Sequence, residues 1–179
     1  MKLHNGLNNG MKIGVIADTH IPGRAKTLPA VVFKLFQRVG HIIHTGDIAC
    51  VQVLEALEKI APVTAVAGNV DPSFLKERLG EKKILKQDGF TIGICHGHGE
   101  KGQTLQRAID CFRGDAVDCI CYGHSHKPFC DYSGNTLFFN PGSPTDKRRE
   151  VFFSIGILEI GQIIAPRIIY FDSTGIHTL

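Results

Sequence analysis

The sequence predicts a mixed α/β fold built from two packed β-sheets. Three observations point there. Strand-like and helix-like segments alternate from residue 11 to residue 71, hairpin patterns follow from residue 82, and no linker, internal repeat or low-complexity tract separates the two stretches. The alternation implies parallel strands and the hairpins mostly antiparallel ones, so the two halves read as two sheets face to face and not as two domains. The expected organisation is a leader over residues 1–10 and one domain over 11–179.

Each element has its own reason. "MKIGVIADTH" is a short apolar, partly β-branched run with a polar end, and "LPAVVFKLFQRVG" after it carries apolar residues at helical spacing with Gly40 as its stop. "HIIHTGDI" repeats the strand, "VQVLEALEKI" the helix, and "PVTAVAGNVD" is a third strand. "KKILKQDGFTIGICHGHG" predicts a hairpin about Asp88 and Gly89, "GQTLQRAIDCF" a helix, and "VDCICYGHSH" another strand. "KPFCDYSGNTLFFNPGS" and "FFSIGILEIGQIIAPRIIYF" predict hairpins turning at Gly134-Asn135 and Gly161-Gln162.

A chain of 179 residues with 43% hydrophobic and 21% charged residues suits one domain with a full core. The net charge of +3 is too small and dispersed to argue for a polyanion or membrane surface, and aromatic residues at 8% supply no stacking track for a nucleic-acid strand. The opening "MKLHNGLNNG" has no apolar core and reads as a flexible leader, which makes Met11 a candidate start. Without a secretory signal, the six cysteines read as reduced thiols and the location as cytoplasmic.

Polar residues mark the strand ends: Asp18 and His20, Asp47, Asn69 and Asp71, His96 and His98, His124 and His126. The carboxyl ends of strands in an open sheet form a ligand crevice, where residues distant in sequence meet. Carboxylate and imidazole groups suit divalent transition metals. Gly46, Gly68, Gly97 and Gly123 allow the tight turns that such convergence needs. A lone strand-terminal Asp or His is more often a cap or loop residue; the ordered set is harder to dismiss. "CICYGHSH" does not make a self-contained Cys2His2 zinc site, because no loop separates its pairs. Its thiols belong to strand packing and its histidines need distant partners.

The ordered series "ADTH", "TGD", "AGNVD", "CHGH" and "YGHSH" resembles the calcineurin-like metallophosphoesterase superfamily, and "NPGSP" at 140–144 is similar to its small prokaryotic phosphodiesterase branch. The resemblance implies a two-sheet β-sandwich flanked by helices (α/β/β/α). It also implies one metal held by Asp18, His20, Asp47 and His126 and a second held by Asp47, Asn69, His96 and His124, with Asp47 bridging. Two such ions, about 3.5–4 Å apart, would lower the pKa of a shared water and clamp the attacking and leaving oxygens of a phosphoryl group. The implied activity is dinuclear metal-dependent phosphodiester hydrolysis by a metal-bound hydroxide, with Asp47 and Asn69 among the catalytic residues. Manganese is the first expectation, with Fe, Ni, Co or Zn compatible.

One position departs from the pattern. Many superfamily members carry a His after the Asn of "AGN", where it serves as proton donor to the leaving oxygen; this chain has Val70. His98 is the substitute donor expected here, against the plainer reading of a loop residue. Asp71 is expected to orient Asn69 or a turn backbone, and His44 to be a hydrogen-bonded core residue, while His41 and His4 look peripheral. Arg24 and the "DKRRE" run at 146–150 are either solvated turns or readers of a second phosphate. The partner expected is a small phosphodiester, with no extended nucleic acid and no membrane; a homo-oligomer stays open. The alternative is a metal-binding protein-interaction scaffold of the same fold, as in a subunit of the endosomal retromer coat.

Overall fold

The computed structural model describes residues 10–177, so the expected leader, His4 included, lies outside the described residues apart from Gly10. The elements in chain order are β1 (Met11–Ile16), α1 (Ala30–Phe36), β2 (His41–His44), α2 (Val51–Glu58), β3 (Val63–Ala65), α3 (Ser73–Leu79), β4 (Lys82–Gln87) and β5 (Phe90–Cys95). They continue with α4 (Thr104–Cys111), β6 (Cys119–Cys121), β7 (Phe129–Ser133), β8 (Thr136–Asn140), β9 (Phe153–Ile160), β10 (Ile164–Asp172) and β11 (Gly175–His177). The hairpin at Asp88-Gly89 is a two-residue loop with φ of 48° and 86°, the left-handed pair that matches strand twist.

The strands are shared between the sheets differently from the expected division into halves. One sheet has the order β11-β10-β9-β1-β2-β3 and the other β4-β5-β6-β8-β7. The first three strands are parallel to one another, but β1 also pairs antiparallel with β9 along Met11↔Ile160 to Val15↔Gly156. The last strands thus extend the first sheet, and the middle of the chain makes the second. Nor is the second sheet simply antiparallel: β6 runs parallel to both β5 and β8. Two elements had no expectation. α3 buries only Leu75 and Leu79 of its seven residues, and β11 is three residues long, both too short to show a clear period.

Alternation along β1 sets the layers. Ile13 and Val15 point into the core between the sheets, together with Ile92, Ile94, Cys119, Cys121, Leu137, Phe139 and Leu158. Ile16 points the other way, into a core with Val32 and Phe36 of α1, Leu54 and Leu57 of α2 and Leu75 of α3. A third core joins Ala108 of α4 and Phe112 to Cys95, Ile120 and Phe138 on the outer face of the second sheet. The sequence of layers is helix, sheet, sheet, helix. Cys119 and Cys121 are fully buried strand residues with sulfurs 3.8 Å apart, and all six cysteines are free thiols. Among the described residues no helix is long and apolar enough to cross a membrane.

Candidate metal centre

The carboxyl ends of β1, β2 and β3 from one sheet and of β5 and β6 from the other meet at one end of the sandwich. Bonds across the sheets lock them there. The His124 amide donates to Asp18 Oδ1 at 3.2 Å, and His96 Nδ1 bonds the Thr45 carbonyl at 2.8 Å. Two donor groups result: Asp18, His20 and His126, and beside them Asp47, His96 and His124, with the ligand atoms of each group within 4.8 Å of one another. Asp47 stands between them, its Oδ2 lying 3.6 Å from His20 Nε2 and 3.2 Å from His96 Nε2. Asn69 adjoins the second group through Oδ1, 3.1 Å from His124 Nδ1. All seven residues expected as ligands are therefore brought together.

The backbone is bent to do this. Asp18, His20, Asp47, His124 and His126 have φ of 53°, 44°, 55°, 66° and 58°. Left-handed non-glycine residues cost about 1–3 kcal/mol each and persist where surrounding structure over-determines them. Here that structure is a set of interlocking amides: Asp18 N–H donates to Gly46 O and His20 N–H to Asp47 O, both at 3.0 Å. Gly46 adopts φ +102°, whereas Gly68 is required for close approach, since a Cβ there would collide with Asp47 Oδ1. Asp71 orients turn backbone and not Asn69: its carboxylate accepts the Ala49 amide at 2.6 Å and the Gly68 amide at 2.7 Å.

Donor chemistry fits divalent cations. A carbonyl only accepts, so Nδ1 of His96 carries its proton toward Thr45 and Nδ1 of His126 toward Asp146. That leaves both Nε2 atoms with lone pairs facing inward. His126 Nε2 lies 3.1 Å from His20 Nε2, and His96 Nε2 faces Asp47. Lone pairs facing lone pairs or carboxylates call for a proton or a cation between them. Among the described residues, buried Asp18 Oδ2 has no hydrogen-bond partner, nor does His96 Nε2. Burial holds His20 below its ordinary pKa and takes His124 and His126 down to about 4, so these three are neutral donors at neutral pH. Burial also lowers His96, but the Asp47 carboxylate 3.2 Å from its Nε2, together with the Asp18 charge, outweighs it and raises it overall. Burial pushes Asp18 up to about 7, while for Asp47 the adjacent His96 ring overcomes burial and holds it below the carboxylate range.

His98 follows the centre at its rim, its ring centroid 5.4 Å from that of His96 and 6.4 Å from that of His124. Its Nε2 is 3.9 Å from Glu81 Oε1, and its buried Nδ1 has no partner among the described residues. Val70 is 48% exposed beside the centre, with its amide donating to Asp47 Oδ1 at 3.0 Å. His44 is fully buried: Nδ1 accepts the Gly46 amide, and Nε2 donates to Thr19 Oγ1, whose hydroxyl reaches the Ile48 carbonyl. His41 bonds Thr64. Arg24 pairs with Asp146 at 3.1 Å.

Sequence reasoning missed the supports. Ser143 Oγ donates to the Asp18 carbonyl at 2.8 Å and Thr145 Oγ1 to the Thr19 carbonyl at 2.6 Å, fastening the "NPGSPT" loop under the centre. Asn140 Nδ2 holds the Gly123 carbonyl and Ser125 Oγ, each at 3.0 Å. The loop motif was the available signal, but nothing in it names the backbone atoms it serves.

Comparison with known proteins agrees with this geometry. The family described as the calcineurin-like phosphoesterase superfamily domain matches residues 11–162. A protein of Methanocaldococcus jannaschii named probable metallophosphoesterase is 40% identical over 144 residues, covering 79% of this chain and 72% of that one. One of the same name from Methanothermobacter thermautotrophicus is 39% identical over 140 residues, covering 77% and 80%. Among solved structures, Entamoeba histolytica Vps29 complexed with zinc superposes with a TM-score of 0.78 at 26% identity, over 93% of this chain and 96% of that one.

Proposed function

This chain belongs to the calcineurin-like phosphoesterase superfamily, and on that premise we propose that it is a dinuclear metal-dependent phosphodiesterase acting on a small soluble substrate in the cytoplasm. The observation that carries the reading is the pair of adjacent donor groups with Asp47 between them. Asp18, His20, Asp47 and His126 would hold one ion and Asp47, Asn69, His96 and His124 the other, manganese being the first choice for this mixed oxygen and nitrogen shell. When bound, two such ions supply Lewis-acid polarisation of a phosphoryl group and a water acidic enough to attack it near neutral pH.

The protein's own part is positioning and proton transfer. The Thr45 and Asp146 carbonyls fix the His96 and His126 tautomers, so each ring presents Nε2 inward without reorganisation. The Val70 amide holds Asp47 Oδ1 and leaves Oδ2 toward the histidines. With no imidazole at position 70, His98 is the nearest unassigned ring, and it would deliver the proton to a leaving alkoxide. The test is metal content and turnover of bis(4-nitrophenyl) phosphate by manganese-loaded protein. Two ions per chain with metal-dependent hydrolysis are expected; one ion, or an ion held by Cys119 and Cys121, would contradict the assignment.

A second reading, a metal-binding protein-interaction scaffold, draws on the likeness to Vps29. The complete donor set favours the enzyme. Two bound ions without any diester turnover would favour the scaffold.

A further inference from the structure

Cations around the centre differ in what their donors already do. Arg107 commits its whole fork to the loop that follows His96. Nε donates to the Gly97 carbonyl at 2.8 Å, Nη1 to the Lys101 and Gly102 carbonyls, and Nη2 to Thr104 Oγ1 at 3.1 Å. Arg24 is paired with Asp146, and Lys76 Nζ donates to the Asn69 carbonyl at 2.8 Å. Arg148 is different. It is exposed, and among the described residues its guanidinium has one hydrogen bond, a long one of 3.4 Å from Nη1 to the His124 carbonyl. That bond places the guanidinium beside His124 of the second donor group, while the chain two residues before it, at Asp146, accepts the Nδ1 proton of His126 in the first.

The backbone at Arg148 is held in a conformation an arginine does not favour, with φ of 47°. Anchors on both sides impose it. Upstream, the Asp146 amide donates to Ser143 Oγ at 2.9 Å, and Ser143 in turn grips the Asp18 carbonyl. Downstream, the Glu150 amide donates to the Lys147 carbonyl at 2.8 Å, and Lys147 Nζ donates to the Glu150 carbonyl at 2.9 Å. The loop that supports Asp18 therefore also aims Arg148, at the cost of strain that one long hydrogen bond of the side chain, the sole one among the described residues, does little to offset. A guanidinium has five donors in a planar fork suited to two oxygens of one phosphate, and most of this fork is uncommitted.

We infer that Arg148 is the anion clamp of this site, gripping the non-bridging oxygens of the reacting phosphate from the rim of the centre beside His124. The assignment rests on the phosphodiesterase reading above and adds to it the residue that binds the substrate's charge. The test compares manganese-loaded parent, R148A, R148K and R148G in four measurements: inorganic phosphate affinity by calorimetry, KM and kcat on bis(4-nitrophenyl) phosphate, metal content, and thermal melting. R148A should bind phosphate about 10- to 100-fold more weakly, the range of hydrogen bonds to a charged group, and raise KM more than it lowers kcat while keeping both ions. R148K should recover part of the affinity. R148G should lose it yet melt no lower than the parent, because glycine adopts this φ without strain. Parental phosphate affinity in R148A with both ions bound would overturn the clamp, and so would an R148G that melts lower and sheds metal, since that is the behaviour of a structural arginine. A parent that binds phosphate through Arg148 but hydrolyses no diester would uphold the clamp and overturn the phosphodiesterase reading.

Discussion

Asp47 touches both donor groups at once, since its Oδ2 is within 3.6 Å of His20 and 3.2 Å of His96. Removing that carboxylate takes an anion from two neighbouring sites, so Asp47→Ala should abolish turnover and weaken both ions in a metal titration. His126→Ala should chiefly weaken the ion beside Asp18, and His124→Ala the one beside Asn69; loss of the same ion in both variants would contradict the split. Val70 sets a second expectation. Without an imidazole there, the rate should fall steeply as the leaving alcohol becomes more basic. Val70→His should flatten that dependence, by about 10²-fold at the basic end if the ring reaches the leaving oxygen. A leaving-group series for parent, Val70→His and His98→Ala reads both. If His98 donates, its removal steepens the series; an unchanged slope would remove His98 from the mechanism.

Secondary elements hold these residues in place through packing that pairs strand glycines with phenylalanine rings. A Cβ at Gly14 of β1 would lie 2.8 Å from the Phe36 ring of α1, and one at Gly93 of β5 would lie 2.7 Å from the ring of Phe112, just after α4. At Gly156 of β9 the obstruction is Phe139 of β8, across the interface between the sheets. One such contact thus fastens each layer boundary: helix on first sheet, sheet on sheet, second sheet on helix. Phe36 is fully buried against β1, whose end carries Asp18 and His20. Phe36→Ala should destabilise the fold by about 3–5 kcal/mol, read from denaturant midpoints. Metal affinity of the molecules that remain folded should change little, because the centre lies at the strand ends and not at that face.

At the scale of the fold, the two sheets bring Asp18, Asp47 and His96 into a buried cluster where, among the described residues, Asp18 Oδ2 and His96 Nε2 lack hydrogen bonds. Cations bound there stabilise the native state alone, by about 2.7 kcal/mol at a free concentration one hundred times Kd. Chelation should therefore lower the melting temperature, and manganese should restore it; equal melting with and without chelator would count against a metal at this cluster. The amino-acid order was enough to identify the strand ends and the polar residues they carry, the three hairpin turns and the burial of Cys119 and Cys121, because periodicity and turn chemistry are local. Local pattern could not determine which strands share a sheet. The pairing of β1 with β9 joins residues about 145 apart and follows from closing an exposed strand edge with the far end of the chain. The left-handed backbone at five residues of the centre, the Ser143 and Thr145 supports beneath Asp18 and Thr19, and the aim of Arg148 all depend on contacts between segments distant in sequence. Only the packed fold could decide them, since no residue carries in its own identity the atoms that will surround it.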